Sequence, residues 1–321
     1  MTDARLRDLT EEELLARILP LMKRPDPCVL VGPGDDTAWL TASDGRYLAT
    51  TDAMVRGHDW LDAWSSGADV GHKAVAQNTA DIAAMGGITT GLLVTVAADV
   101  ETPVAWVADL ARGIAQAADA ARTVVVGGDL SGADSGMVMV SITAFGSMQG
   151  RRPVLRSGAQ VGDVVAVAGT LGRSGAGWAL LREGREAVAP DLVQAHRRPT
   201  PPLTQGPLAA AAGAHAMIDL SDGLVRDAGR IARASGVRID LHADALQPHI
   251  DALSAAVGED EARSCVLTGG EEHSLLATFA EAPEGWQVIG EVTAADASGA
   301  GVCLDGEPRR GGGWDHFDTT R

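Results

Sequence analysis

The chain has 321 residues, enough for about two domains that can each bury a core. Asp and Glu number 43 against 26 Lys and Arg, giving a formal charge of −17 that repels nucleic acid and anionic membrane surfaces. Hydrophobic residues at 45 % and charged residues at 21 % describe a folding globular chain, and no apolar run approaches the ~18 residues of a bilayer span.

Thr10 and Glu13 stand at capping-box spacing, and Leu14, Leu15, Ile18, Leu19 and Met22 recur at helical intervals before Pro25 and Pro27, which predicts an N-terminal helix. Cys28–Val31 and Asp36–Leu40 read as short strands around Gly32-Pro33-Gly34. Ser43-Asp44-Gly45 then turns the chain into a run at Tyr47–Thr50, so a hairpin is expected there. Asp69–Met85, rich in Ala, Val and Ile, predicts a helix ending at Gly86-Gly87, followed by a strand at Leu92–Ala97. Thr102 as cap with Pro103 at the first helical position opens a helix to about Ala121. Thr123–Val126 reads as a strand stopped by Gly127-Gly128, and Met137–Phe145 as another. The polar stretch Gly146–Pro153 marks a domain boundary, giving domains 1–149 and 150–321.

In the second half, strands are expected at Val161–Val167, Ala216–Asp219, Val237–Leu241, Val266–Thr268, Leu275–Phe279, Val288–Val292 and Gly301–Leu304. Helices are expected through Leu181, after the Pro-rich stretch Arg197–Pro202, and at Leu224–Ala234. Both halves are α+β, sheets covered by helices. Cys28, Cys265 and Cys303 are widely spaced without a Cys-x-x-Cys pair, so reduced thiols are expected rather than disulfides or zinc. The charged opening Met1-Thr2-Asp3-Ala4-Arg5 has no apolar signal core, and a cytoplasmic location is expected.

One pattern recurs. Apolar runs deliver carboxylates at Gly32-Pro33-Gly34-Asp35-Asp36, Thr50-Thr51-Asp52, Gly127-Gly128-Asp129, Asp219-Leu220-Ser221-Asp222-Gly223 and Thr268-Gly269-Gly270-Glu271-Glu272. One such tip is an ordinary turn, because Asp and Gly are turn residues. Five of them suggest a shared active face. Two like charges ~4 Å apart at an effective dielectric of 20 cost about 4 kcal/mol, so gathered carboxylates must either become neutral or hold cations. Oxygen-only ligands select hard ions, Mg²⁺ before Zn²⁺, and Mg²⁺ favours phosphate as co-ligand, which points to a nucleotide. On the Asp69–Met85 helix, Lys73, Gln77 and Asp81 form a polar stripe at i, i+4, i+8 beside Asn78, readable as a solvated face or as part of a polar site. A P-loop, a kinase His-Arg-Asp loop, a Gly-x-Gly-x-x-Gly cradle, a Gly-x-Ser-x-Gly elbow and a His-Glu-x-x-His pair are all missing from the sequence.

These tips, together with Gln77-Asn78-Thr79-Ala80-Asp81-Ile82-Ala83-Ala84-Met85-Gly86, Arg156-Ser157-Gly158-Ala159 and Trp314-Asp315-His316-Phe317, resemble the thiamine-monophosphate kinase family over nearly the whole chain. That family groups with aminoimidazole-ribonucleotide synthetase, selenophosphate synthetase and the hydrogenase-maturation dehydratase. The resemblance implies that fold, two α+β domains with mixed sheets, in a homodimer. The first domain would bind ATP and Mg²⁺ and carry the dimer contact, and the second would complete the active site. It implies ATP-dependent phosphorylation of thiamine monophosphate to thiamine diphosphate by in-line transfer. Asp35, Thr50, Thr51, Asp52, Asp81, Asp129, Asp219 and Asp222 would hold Mg²⁺. Gly128, Asp129, Arg156 and Ser221 would meet ATP, with Asp129, Asp222 and Arg156 as the catalytic set. His58, Asp59, Glu271 and Trp314 would meet the acceptor, Trp314 packing on its cationic ring. The acceptor is already an anionic oxygen, so no dedicated base is required.

Departures from the family pattern are Arg56-Gly57-His58-Asp59-Trp60, where Glu-Gly-x-His-Phe is usual, and Glu272-His273, where Asp-Tyr is frequent. They leave the carboxylate set intact and bear on the acceptor. Two alternatives remain: a paralogous ATP-dependent enzyme with another acceptor, and a non-catalytic Mg-nucleotide sensor.

Overall fold

The computed structural model describes residues 4–22, 25–31, 39–42, 44–297, 299–309 and 312–314. They divide into two compact units, Met1–Ile82 with Gly87–Gly150, and Ala83–Gly86 with Arg151–Arg321.

In the first unit, α1 (Glu11–Met22) begins with the predicted capping box: Thr10 N–H donates to Glu13 Oε2 at 2.9 Å and Glu13 N–H to Thr10 Oγ1 at 3.2 Å. β1 (Val29–Val31) and β2 (Trp39–Leu40) pair antiparallel. The expected hairpin into the third run is not formed. β3 (Leu48–Val55) instead leads through α2 (Gly67–Ala84), β4 (Ile88–Asp99), α3 (Val104–Ala120), β5 (Val125–Ala133) and β6 (Val138–Ser147), and the four-stranded sheet has the order β3-β6-β4-β5. Only the β4–β5 pair is parallel.

Strand periodicity of two splits this sheet into a covered face and a half-exposed one. Met54, Val94, Val96, Val138, Val140 and Ile142 pack with Val70, Ala74, Leu110 and Ile114 of α2 and α3 in one core. The two helices touch closely, since a Cβ on Gly113 would sit 2.2 Å from the Ala68 carbonyl oxygen. The cap of α3 falls one residue later than expected. Pro103 is the N-cap without a side-chain bond, because Thr102 closes a turn through its N–H to the Asp99 carbonyl at 2.9 Å.

Two strands run through residues that read as terminators. β3 continues past Thr50-Thr51-Asp52 because Thr suits a pleated surface and these residues pair with Ala144, Thr143 and Ile142. β5 continues through Gly127-Gly128, where glycine serves close approach of strands rather than a turn. A Cβ on Gly128 would lie 2.0 Å from the Val94 carbonyl oxygen.

The second unit contains β7 (Val164–Ala168), α4 (Arg173–Arg182), α5 (Pro190–Arg197), α6 (Gln205–Ala211), β8 (Ala216–Asp219), α7 (Leu224–Ser235) and β9 (Val237–Leu241). α8 (Ala243–Val257), α9 (Glu259–Thr268), β10 (Leu275–Phe279), β11 (Gln287–Ala294), β12 (Gly301–Leu304) and β13 (Glu307–Arg309) follow. The sheet order is β13-β12-β9-β11-β7-β10-β8. β8, β9, β10 and β12 match their predicted bounds: β8, β10 and β12 are short, nearly fully buried runs, and β9 alternates strictly, with Val237, Ile239 and Leu241 inward. Val266–Thr268 is helical, not a strand. Glu259, Asp260 and Glu261 favour a helix start, and Ala262, Cys265 and Val266 then bury one face of α9. The sequence reading passed over α5, α8 and β13; Pro248 lies inside α8. Both units are α+β, and among the described residues no helix is long and apolar enough to cross a membrane.

Candidate active site

In the first unit the covered face of β3 and one side of α2 meet. Thr50 and Asp52 share parity with buried Met54, and Thr50 Oγ1 donates to Asp81 Oδ2 at 2.6 Å. Asp52 N–H donates to Asn78 Oδ1 at 3.1 Å, while Asn78 Nδ2 donates to the Ala74 carbonyl at 2.9 Å. The α2 stripe is not a solvated face: Lys73 is 2 % exposed and Asn78 1 %. Gln77 Oε1 is buried without a hydrogen-bond partner, one turn from Asp81. Thr50 and Asp81 are in contact, Asp52 shares the strand face of Thr50 and Gln77 the helix side of Asp81, and all four carry oxygen donors, the kind that fit a hard cation such as Mg²⁺. Among the described residues no three His, Cys, Asp or Glu side chains form a metal-holding group by themselves, so a cation there would draw on neutral oxygens as well.

Asp129 stands apart from that group. Register places Asp52 in one row with Ile142, Val94 and Gly128, so Asp52 and Gly128 lie on opposite edges of the sheet, about 14 Å apart at the usual strand spacing. Leu130 packs on the core, so Asp129 and Ser131 face the other way, and Ser131 Oγ donates to Asp129 Oδ2 at 2.9 Å. Thr51 shares this open face and receives a hydrogen bond from Thr143 Oγ1 at 3.1 Å. Asp52 and Asp129 of one chain therefore cannot hold the same ion.

The turn after β3 absorbs two of the departures. Asp59 Oδ2 accepts the Val55 N–H at 2.7 Å, and Arg56 Nε donates to the Gly136 carbonyl at 3.2 Å. His58 is exposed beside them. Asp35 and its neighbours Gly32, Pro33, Gly34 and Asp36 lie outside the described residues.

In the second unit, the tip of β8 and the segment after α9 are laced together by backbone. Glu271 N–H donates to the Ser221 carbonyl at 2.8 Å, His273 N–H to Leu220 at 2.9 Å, and Trp314 N–H to Asp222 at 2.9 Å. These bonds bring the backbone at Asp219, Ser221, Asp222, Glu271 and Trp314 together. His273 Nδ1 lies 3.1 Å from Asp219 Oδ2, both nearly buried. Asp222 is contacted by Arg230, with Arg226 Nε at 3.8 Å. Its N–H donates to Asp227 Oδ2 at 2.9 Å. Burial pushes the Asp227 carboxyl up to about 7, outweighing the Asp222 amide and the Arg230 guanidinium that favour its charged form.

Glu272, also a departure, is buried. It accepts from Thr170 Oγ1 and from Ser174 N–H at 2.8 Å, and burial raises its carboxyl against those two bonds. Buried His196 places Nδ1 3.3 Å from Glu271 Oε2 and 3.2 Å from Ser174 Oγ. His196, Asp227 and Arg230 were missed by sequence reasoning. Asp222, Arg226 and Arg230 at i, i+4, i+8 carry a signal for the charge network, whereas nothing in the sequence marks His196. The Arg156 carbonyl accepts Ser235 Oγ at 3.3 Å, and the Leu155 carbonyl beside it accepts the Met217 N–H of β8.

Comparison with known proteins matches both halves of the chain to one family. Residues 34–148 match the N-terminal domain of the AIR synthase related proteins, and residues 160–303 match their C-terminal domain. The thiamine-monophosphate kinase of Mycobacterium tuberculosis (strain CDC 1551 / Oshkosh) is 46 % identical over 97 % of this chain and 93 % of that protein. That of Escherichia coli (strain K12) is 35 % identical over 96 % of this chain and 98 % of its own. A solved chain described as AaThiL complexed with AMPPCP and TMP superposes with a TM-score of 0.77 at 30 % identity, covering 98 % of this chain and 99 % of that one.

Proposed function

The chain belongs to the thiamine-monophosphate kinase family, and from that premise we propose that it transfers the γ-phosphoryl group of ATP to the phosphate of thiamine monophosphate, giving ADP and thiamine diphosphate. The observation that carries the reading is the all-oxygen group of Thr50, Asp52, Asp81 and Gln77, which suits a cation bound to polyphosphate. A relative of the same fold complexed with AMPPCP and TMP supports the pairing of nucleotide and acceptor.

In this reading Thr50, Asp52 and Asp81 hold Mg²⁺, and Thr51, Asp129, Asp219 and Asp222 hold further ions, with Asp35 as an added ligand. Bound Mg²⁺ would neutralise phosphate charge, the main barrier to joining two polyanions. Gly128, Ser221 and Arg156 hold ATP. Glu271, held by buried His196, and Trp314, tied by its backbone to Asp222, orient the thiamine end of the acceptor with His58. Asp59 acts by shaping the turn that carries His58, since its carboxylate is committed to the Val55 amide. Attack comes from a phosphate oxygen that is already ionised, so these residues position and need not remove a proton.

The reading includes a homodimer and a cytoplasmic location. β3 and β5 are both edges of the four-stranded sheet, and pairing these edges with a second copy would satisfy their open backbone groups, which supports the dimer.

The test is the purified protein with Mg²⁺, ATP and a panel of phosphorylated acceptors. Stoichiometric ADP and thiamine diphosphate are expected. ADP formed only with another acceptor would point to a paralogous enzyme, and nucleotide binding without ADP to a sensor. Asp81→Asn is expected to lower turnover at least 100-fold with little change in melting temperature, read by the same assay and by thermal unfolding. A large loss of stability would assign Asp81 to helix packing instead.

A further inference from the structure

We propose that the second unit carries an additional anion site, for a di- or triphosphate group, in the cleft between α7, the start of β9 and the β12–β13 edge. The cleft measures about 400 Å³, within the range of small-molecule sites, and Arg226, Arg233, Arg238 and Arg309 all line it. No Asp or Glu is among the described residues of its wall. In a chain of net charge −17 this is a concentrated patch of the opposite sign.

The arrangement has local causes. Arg226, Gly229 and Arg233 fall at i, i+3 and i+7 of α7, one face of the helix. A Cβ on Gly229 would lie 3.0 Å from Arg233 Nη1, so the missing side chain lets that guanidinium lie back along the helix toward Arg226. Arg238 pairs in register with Gly301, and Arg309 with Val302, which brings both arginines to the same end of the sheet edge. Carboxylates from outside the cleft reach two of the four: Asp222 lies 3.8 Å from Arg226 Nε, and Asp296 contacts Arg238. Arg233 and Arg309 have no carboxylate at ion-pairing distance among the described residues. Four guanidiniums about one cleft repel each other, and an anion between them relieves that repulsion. Arginine's planar fork matches phosphate oxygens two at a time, so a ligand with several phosphoryl oxygens exploits the cluster best.

The cleft is separate from the strand tips. Across the sheet Ala216 lies in one row with Thr278, Val165, Gly290 and Leu241. Asp219 is three residues to one side of that row and Arg238 three to the other, about 20 Å along the strand direction. Only the Arg226 end approaches the Asp222 tip. Nucleic acid is disfavoured as occupant by the overall charge, leaving a small phosphorylated molecule.

The experiment titrates full-length protein in EDTA with inorganic pyrophosphate, followed by calorimetry, then with ADP and with thiamine diphosphate. Without divalent ions the carboxylate sites repel polyphosphate, so this binding is independent of the kinase reading. One saturable equivalent is expected, weakening with added salt. The Arg233→Gln/Arg309→Gln double variant should bind at least tenfold more weakly while its melting temperature and its KM for ATP stay unchanged. Tight ADP binding would identify a nucleotide tail as the source, and preference for thiamine diphosphate would identify the reaction product. No saturable pyrophosphate uptake, or equal affinity in the variant, overturns the proposal. Should the double variant fold poorly, Arg309→Gln alone, on an exposed edge strand, is read the same way.

Discussion

Asp227 offers a measurement in which the expected free energy follows from one buried group. It is fully buried, accepts the Asp222 N–H at 2.9 Å, and touches Arg230 through its other oxygen. Burial lifts its carboxyl from the ordinary 3.8 to about 7. Between those values the folded protein holds a proton that the unfolded chain has released. Its stabilising contribution is therefore complete below about pH 4, is lost as pH rises through about 7, and stays lost above. At ~1.4 kcal/mol for each pH unit of that gap, the loss is about 4 kcal/mol at most. Asn keeps an acceptor for the Asp222 amide and cannot ionise. Its altered contact with Arg230 adds an offset that does not depend on Asp227 titration. Urea unfolding of wild type and Asp227→Asn in EDTA, from about pH 4 to about pH 8, should show the variant gaining on wild type by up to ~4 kcal/mol across the range. Parallel stability curves would refute the reasoning and mean that Arg230 and the amide keep Asp227 ionised throughout.

Gly128→Ala should destabilise the protein by ~2 kcal/mol or more, because the added Cβ would sit 2.0 Å from the Val94 carbonyl and β4 and β5 must part; urea unfolding within 0.5 kcal/mol of wild type would show that the strands yield freely. Burial pushes the Cys265 thiol up to about 12, so it should resist a thiol reagent at neutral pH until the protein unfolds, while half-buried Cys28 reacts first. Peptide mapping of the labelled protein checks the order.

Where sequence reading worked, one physical signal dominated. β8, β10 and β12 lie in the seven-stranded sheet as short apolar runs with only one place to go, and β9 shows the strict alternation of a half-buried strand. It failed where two signals compete over a few residues. Cys265-Val266-Leu267 is as apolar as a strand, and only the acidic turn before it and the i, i+3, i+4 burial of Ala262, Cys265 and Val266 reveal α9. Pro248 hid α8, and the end of α5 was absorbed into the Pro-rich stretch that follows it. The candidate residues themselves were readable because carboxylates beside glycine and hydroxyl groups are costly to keep without a purpose. Their partners were not: Glu271 is held by His196, 75 positions away, and such a contact leaves no local pattern.

The acid-tipped strands also show what a linear pattern conceals. Gly127-Gly128-Asp129 and Thr50-Thr51-Asp52 look alike in sequence, an apolar run closing on an acid, yet neither acid sits at a strand end. Each lies inside an edge strand, and parity decides its direction: Asp52 turns with Met54 toward α2, and Asp129 turns away from the side where Leu130 meets the core. One insertion in either strand would reverse that assignment without changing the motif. The direction matters chemically, because a carboxylate on the face that meets α2 can share an ion with Asp81 and Thr50, whereas one on the open face must find its partners elsewhere. Register, rather than the identity of the acids, therefore decides which of them act together, and shifting β3 by one residue against β6 would separate Asp52 from Asp81 while leaving every motif in place.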